Sequence, residues 1–286
     1  MRIGELLKIK ETTISFEVFP PKSNASFEPV MNAVDEMSEL SPDFMSVTYR
    51  QGSSTVDNTV QVASHIQNDL NTTALAHLTC VTSNMADVST IVEQLKANNI
   101  ENVLALRGDI PDDKSDISTD FKYAYELIDA IKEKGDFSIG CACYPEGHVE
   151  AANKNTDMDY LKKKVEHGCD FLITQMFFDN SVLYSFLYNA LKKGIDKPVI
   201  AGVMPVTNSR QIDRMCELSG TTLTSKFRAI YDKFGDNPVA FKQAGIAYAT
   251  EQIVDLVSNG IDGIHIYAMN KPDIVQKIMT NISGIF

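Results

Sequence analysis

The sequence predicts one α/β domain over residues 1–286, a closed (β/α)8 barrel, and three observations lead to this prediction. Eight short apolar runs recur along the chain, segments with helical periodicity separate them, and most runs start about thirty residues apart, the length of one βα unit. Such alternation is typical of a parallel sheet flanked by helices. A doubly wound sheet alternates in the same way, but eight regular units favour closure into a barrel.

The predicted strands are short segments rich in β-branched and aromatic residues. The first alternates apolar side chains with Ser15, Glu17 and Phe19, so these three share one face, and two consecutive prolines then end the strand. In chain order, the predicted strands are residues 12–18, 43–49, 73–80, 101–108, 137–144, 170–178, 198–206 and 263–269.

The segments between the strands have the apolar spacing of amphipathic helices, as in residues 26–40 and 83–99. The interval between the seventh and eighth strands is longer than the others and holds extra helical sequence. No linker, low-complexity run or second domain is visible along the chain.

Composition limits the class of protein. The chain is 44% hydrophobic and 22% charged, as in ordinary globular domains, and no apolar run approaches the roughly 18 residues of a membrane span. A net charge of −12 argues against nucleic acid and against an anionic membrane surface. Charges interrupt the first residues, so a secretory signal is not expected. We therefore expect a cytoplasmic protein.

Known cofactor motifs are absent from the sequence. The five cysteines follow no metal-ligand spacing, so we expect buried, reduced thiols and no metal. The chain has no G-x-G-x-x-G, no P-loop and no H-E-x-x-H. A Rossmann nucleotide site is therefore not expected.

Polar residues at the carboxyl ends of the strands are the candidate site, because barrel active sites gather at that rim. Glu17, His77 and Gln175 lie inside apolar strands, where an unpaired polar group is costly. They are either functional groups or polar core residues with satisfied hydrogen bonds. The rim residues are Glu17, Thr48, Tyr49, His77, Arg107, Asp109, Tyr144, Glu146, His148, Gln175, Tyr267 and Asn270.

Short motifs at all eight strand ends resemble those of one family. SFEVFPPK, FMSVTY, AHLTC, LALRGD, YPEGH, ITQMFFD, GVMPVTN and HIYAMN occur in this order, and together they resemble methylenetetrahydrofolate reductase of the bacterial, single-domain type. The resemblance spans nearly the whole chain and implies the same barrel fold. It also implies that the regulatory domain of eukaryotic members is absent.

The resemblance implies a flavoenzyme. Non-covalent FAD would take a hydride from NAD(P)H, with NADH the expected donor, and pass it to 5,10-methylenetetrahydrofolate in a ping-pong reaction. The product, 5-methyltetrahydrofolate, would supply methyl groups for methionine synthesis. The cofactor carries out the redox step, while the protein supplies orientation, protons and electrostatics. A homo-oligomer is also implied, and an accessory electron-transfer partner stays open.

The resemblance also assigns roles to individual residues. Glu17 matches the acid that protonates the departing amine when the folate ring opens, and an apolar barrel wall would favour its protonated form. Asp109 matches a residue between flavin and pterin, and Gln175 one that contacts folate and nicotinamide. Folate contacts are also implied at Gln211 and Lys271. The implied FAD contacts are Thr48, His77, Arg107, Gly108, Asp109, Tyr123, Ala124, Tyr144, His148, Asp157, Lys163 and Lys164.

At three positions the chain departs from the family pattern. Met215 stands where some relatives have an aromatic residue, and Tyr160 where an asparagine often contacts FAD. Lys271 stands where an arginine often binds folate, and lysine lacks the forked geometry of arginine.

Three other functions stay open on the sequence. The first is a pterin-binding barrel that transfers a methyl group without flavin, and the second is a catalytically silent folate-binding paralogue. The third, a Schiff-base lyase, is disfavoured because no lysine lies within a predicted strand core.

Overall fold

Eight parallel strands close into a barrel in sequence order, and the last strand pairs with the first. The computed structural model describes residues 1–21, 26–49, 53–81, 83–110 and 120–286. The strands are β1 (Thr13–Val18), β2 (Phe44–Val47), β3 (Thr73–Thr79), β4 (Asn102–Leu106), β5 (Ser138–Cys143), β6 (Phe171–Thr174), β7 (Val199–Val203) and β8 (Gly263–Tyr267). The predicted fold class is therefore confirmed.

The predicted strand starts are accurate, and the predicted strands run too far at their carboxyl ends in every strand but β1. Each strand begins within one residue of its predicted start, but β6 ends at Thr174 although its apolar run continues through Phe178. Met176, Phe177 and Phe178 are buried all the same. Their burial comes from packing beyond the barrel wall, where no neighbouring strand continues the ladder. Hydrophobicity alone does not distinguish a residue buried within a strand from a residue buried just after the strand ends.

Helices follow the strands around the outside of the barrel. α3 continues into a π-helical turn, His65–Asp69, and a 3-10 turn, Ser209–Gln211, precedes α8. The helices are α1 (Ile3–Ile9), α2 (Glu28–Ser38), α3 (Ser53–Ser64), α4 (Met85–Ala97), α5 (Ala124–Lys134), α6 (Lys154–Glu166), α7 (Asn180–Lys192), α8 (Ile212–Ser219), α9 (Ser225–Phe234), α10 (Pro238–Ser258) and α11 (Pro272–Ile282). Among the described helices, none is both long and apolar enough to cross a membrane.

The lower half of the barrel interior is apolar, and α1 closes it from the amino-terminal end of the strands. Inward-facing residues of five strands pack against three residues of this helix, so the barrel is filled rather than hollow at this level. The cluster consists of Ile3, Leu6, Leu7, Phe44, Leu75, Leu104, Phe171, Ile173 and Ile200.

Polar side chains at the bottom of the barrel hold the start of α1. The backbone N–H of Ile3 donates to Asn102 Oδ1 at 2.8 Å, and that of Gly4 donates to Ser138 Oγ at 3.0 Å. These are N–H groups that a helix leaves without an internal partner. The buried Asn102 and Ser138 therefore anchor the helix, a role that the sequence did not suggest.

The extra helical sequence between β7 and β8 forms α8, α9 and the first turns of α10, as predicted. It has a small core of its own beside the barrel. Aromatic residues dominate this core, whose buried members are Phe178, Val206, Ile212, Phe227 and Phe241. These helices therefore pack over the carboxyl end of β7.

Gly245 lets α10 approach the loop after β7. A Cβ atom at this position would overlap the carbonyl oxygen of Val206, and a backbone carbonyl cannot rotate away as a side chain can. We expect Gly245→Ala to lower the free energy of unfolding by about 2 kcal/mol, although alanine is the better helix former. Urea unfolding measures the change. Gly284→Ala, where the added Cβ meets open space, is the matched control, and equal stability of the two variants would contradict the prediction.

Candidate active site

Two cavities lie side by side at the carboxyl ends of the strands. The first, of about 550 Å³, opens above the barrel interior. The second, of about 590 Å³, lies between the end of β4, α5 and α6. Both are large enough for a small-molecule ligand. They share a wall formed by Val81, Leu106, Arg107, Ala142, Tyr144 and His148.

Glu17 lies at the floor of the first cavity, next to two histidines. Its Oε2 is 3.7 Å from His77 Nε2 and 3.9 Å from His265 Nε2. All three side chains are buried, with Glu17 8% exposed. The inward face of β1 thus carries a carboxylate into a polar pocket, and the surroundings of Glu17 are less apolar than expected from the sequence.

The ring of His265 has hydrogen-bond contacts at both nitrogens. Its Nδ1 is 2.8 Å from Ser15 Oγ, and that hydroxyl also lies 3.1 Å from the carbonyl oxygen of Ile264. Its Nε2 is 3.2 Å from Ser46 Oγ and faces Glu17.

His77 is neutral at physiological pH. Burial lowers its pKa from 6.5 to about 4, although the charge of Glu17 acts in the opposite direction. Among the described residues, its Nε2 has no hydrogen-bond partner. A buried nitrogen without a partner is costly unless a ligand or water satisfies it. This atom is therefore a place where a bound molecule is expected to contact the protein.

The low pKa of His77 predicts a pH-dependent stability. Since the unfolded chain binds this proton near pH 6.5 and the folded chain only near pH 4, stability is lost as the pH falls through that window. Between pH 7 and pH 5 the loss from this residue is about 2 kcal/mol. Urea unfolding at both pH values should show this loss in the unsubstituted protein and a correspondingly smaller loss in His77→Gln. The same pH dependence in both proteins would disprove the assignment.

The rim of the first cavity carries Gly108, Asp109 and Gln175. Gly108 has a φ of +85°, and a Cβ atom there would come within 2.9 Å of Thr79, so the turn requires glycine. The Gln175 side-chain oxygen accepts the backbone N–H of Met176 at 2.9 Å. Its amide nitrogen is then the group available to a ligand.

The second cavity has an aromatic wall. The rings of Tyr123 and Tyr160 stack with centroids 5.0 Å apart, and Lys163 Nζ lies 5.4 Å from the centroid of Tyr160. Lys164 Nζ donates to the carbonyl of Ala142 at 2.6 Å. A flat, uncharged ring is the kind of ligand group that suits stacked tyrosines.

Arg107 lies in the wall between the cavities, and its guanidinium binds Glu150. Nη1 and Nη2 donate to the two carboxylate oxygens at 2.5 and 2.9 Å. The neighbouring His148 has a lowered pKa, chiefly because of burial and then because of the charge of Arg107. Among the described residues of this shared wall, Arg107 is the only arginine, and it lies at the junction of the two cavities.

The structure brings most of the predicted site residues together. Lys163 lies beside the second cavity without lining it, and Gln211 and Lys271 are exposed and line neither cavity. Those lining the first cavity are Glu17, Thr48, His77, Arg107, Gly108, Asp109, Tyr144, His148 and Gln175. Those lining the second are Arg107, Tyr123, Ala124, Tyr144, His148, Asp157 and Lys164.

Three site residues were missed from the sequence. His265 shares the inward face of β8 with Tyr267, so strand alternation was a usable signal. Tyr160 was set aside because it departs from the family pattern, yet it lines the second cavity. Glu150 lies two residues after His148, and nothing in the sequence indicates its pairing with Arg107. In the described ranges, no cluster of His, Cys, Asp and Glu could hold a metal ion.

Comparisons with known proteins agree on one family. The sequence pattern of the family described as methylenetetrahydrofolate reductase matches residues 2–283. The 5,10-methylenetetrahydrofolate reductase of Escherichia coli is 31% identical over 94% of this chain and 90% of that protein. Methylenetetrahydrofolate reductase (NADH) 1 of Arabidopsis thaliana is 34% identical over 99% of this chain. The chain spans about half the length of that plant relative.

Solved structures show the same fold at low sequence identity. A Clostridium thermocellum protein described as binding two copies of 5-methyl-5,6,7,8-tetrahydrofolic acid superposes with a TM-score of 0.70, at 15% identity and full coverage of both chains. Dihydropteroate synthase from Xanthomonas albilineans gives a TM-score of 0.55 at 11% identity, over 96% of this chain and 92% of that one. At such identities the likeness concerns the barrel fold alone.

Proposed function

Because this chain belongs to the methylenetetrahydrofolate reductase family, we propose that it reduces 5,10-methylenetetrahydrofolate to 5-methyltetrahydrofolate, with bound FAD and with NAD(P)H as hydride donor. The observation that carries the proposal is the buried Glu17 between two histidines at the floor of the first cavity. A carboxyl group in that place suits the proton transfer that folate ring opening requires. The product would serve methionine synthesis in the cytoplasm, and the enzyme would act as a homo-oligomer.

The two cavities fit an elongated dinucleotide such as FAD. Its tricyclic ring would lie in the first cavity, where His77 Nε2 has no hydrogen-bond partner among the described residues. Its adenosine would lie against Tyr123 and Tyr160 in the second, and its pyrophosphate at the shared wall near Arg107. A flavin bound there would supply the hydride chemistry between the nicotinamide and the folate.

Glu17 holds and delivers the proton. Protonation of the departing amine opens the folate ring to an iminium, and the Glu17 carboxyl group at the cavity floor would supply that proton. His265 Nε2 faces Glu17 at 3.9 Å, while Ser15 and Ser46 hold the ring through contacts to Nδ1 and Nε2. The imidazole thus places a polar group beside the carboxyl group. Neutral His77 places no competing positive charge beside the carboxyl group.

Asp109 and Gln175 would orient the folate. Asp109 is exposed at the rim, where its carboxylate can accept hydrogen bonds from the pterin and stabilise the positive charge of an iminium. The Gln175 amide nitrogen can donate to either substrate, which fits two substrates that bind in turn at the same face of the flavin. We would expect such a shared position to give ping-pong kinetics.

A methyl-transferring barrel without flavin is the second candidate, and the second cavity argues against it. Such an enzyme needs a pterin pocket, but it does not need an aromatic cavity joined to that pocket by an arginine. A Schiff-base lyase is opposed by the lining of the first cavity, which contains no lysine among the described residues.

An anaerobic visible spectrum of the purified protein tests the proposed function. The spectrum is recorded as isolated, after NADH, and after 5,10-methylenetetrahydrofolate. We expect a flavin band that NADH bleaches and the folate restores. A band that NADH bleaches and the folate does not restore would mean that the reduced flavin has a different acceptor. A protein that stays colourless after FAD is added would overturn the proposal.

A further inference from the structure

All three guanidinium nitrogens of Arg107 donate hydrogen bonds within the chain. Nη1 and Nη2 each donate one N–H to Glu150, in the paired geometry that would also hold a phosphate, and Nε donates to the carbonyl of Gly108 at 3.3 Å. The pair with Glu150 raises the pKa of Arg107 and lowers the pKa of the Glu150 carboxyl group. The guanidinium at the junction of the two cavities thus already holds an anion from its own chain.

A carboxylate and a phosphate compete for the same donors. A guanidinium binds either one through two parallel N–H groups, because both anions present two oxygens at a matching spacing. The other cations of the second cavity offer no equivalent fork. Lys164 is engaged by the carbonyl of Ala142, and Lys122 lies over the ring of Tyr123.

Only the side chain of Glu150 needs to move to free Arg107. That side chain is 48% exposed, so its carboxylate can turn into water without being buried elsewhere. The backbone N–H of Glu150 donates to His148 Nδ1 at 3.1 Å, and this bond can stay in place. The loop between β5 and α6 therefore keeps its conformation while the carboxylate leaves.

We propose that Glu150 competes within the chain for the site of the cofactor's pyrophosphate. Without the dinucleotide, Glu150 holds the Arg107 guanidinium across the wall between the cavities. When the dinucleotide binds, its pyrophosphate replaces the carboxylate. This inference rests on the proposed function, since it takes FAD as the occupant, and it assigns to Glu150 the control of how tightly that group is held.

The affinity of the apoprotein for FAD, measured by the change in flavin fluorescence on titration, tests the competition. Glu150→Gln removes the competing charge and is expected to bind FAD about three- to tenfold more tightly. Riboflavin has the same ring system without a phosphate, so its affinity should not change. Glu166→Gln, on α6 and in neither cavity lining, removes one negative charge elsewhere and should change neither affinity. Glu150→Asp, which keeps the charge but shortens the reach, should lie between glutamine and the unsubstituted protein.

The possible outcomes separate this inference from the proposed function. Weaker FAD binding by Glu150→Gln would mean that Glu150 supports Arg107, and unchanged binding would mean that it does not compete for it. Either result would overturn the inference alone. Circular dichroism shows whether Glu150→Gln is misfolded. If it is, the FAD affinity of Glu150→Asp, relative to the unsubstituted protein, tests the inference. Failure of the unsubstituted protein to bind FAD would overturn the proposed function and this inference with it.

Discussion

Glu17→Gln is expected to slow the folate half-reaction about 10²- to 10⁴-fold, the usual contribution of a positioned general acid, while flavin reduction by NADH continues near its normal rate. Glutamine keeps the shape of the side chain between His77 and His265, but it cannot supply the proton that opens the folate ring. Hydride transfer from the nicotinamide requires no such proton. The substitution therefore separates the two half-reactions.

Anaerobic stopped-flow absorbance measures the two half-reactions one at a time. Glu17→Asp is the matched control, because it keeps an acid and withdraws it by one methylene group, and it should retain part of the folate rate. An equal loss in both half-reactions would contradict the role of Glu17 as the acid. It would indicate instead that the side chain is needed to hold the flavin.

Phe171→Ala is expected to lower the free energy of unfolding by about 3–5 kcal/mol. The ring is fully buried at the centre of the lower barrel interior. A Cβ atom on Gly140 of the neighbouring strand would overlap this ring, so glycine leaves the space that the phenyl group fills. Backbone pairing holds the surrounding strands in place, and they cannot close around the cavity that alanine would leave.

Urea unfolding of the two proteins measures this loss. Phe234→Ala, at the end of α9 with 36% exposure, is the matched control and should cost well under half as much. A shift of about 1 kcal/mol or less for Phe171→Ala would mean that the barrel interior can collapse around the space, contrary to the close packing expected of the buried cluster between α1 and the strands.

The strands and much of the candidate site could be predicted from the sequence, because both depend on local pattern. Period-two alternation places Ser15 and Glu17 on one face of β1, and closure of a barrel turns that face inward. The same alternation on β8 places His265 beside Tyr267. Since strand ends in a parallel barrel meet at one rim, residues far apart in sequence were expected to converge. The closure of the barrel by α1, by contrast, has no sequence signature beyond a short amphipathic helix.

The sequence by itself determined the barrel, the family and the convergence of Glu17, His77, Arg107 and Gln175, since these follow from strand order and side-chain alternation. Only the tertiary structure decided which partner each side chain takes. The salt bridge between Arg107 and Glu150, for example, joins two loops whose separation depends on how β4 and β5 end. Ion pairs and hydrogen bonds form over about 3 Å, a scale at which side-chain rotamers and loop paths decide the outcome and local sequence pattern does not.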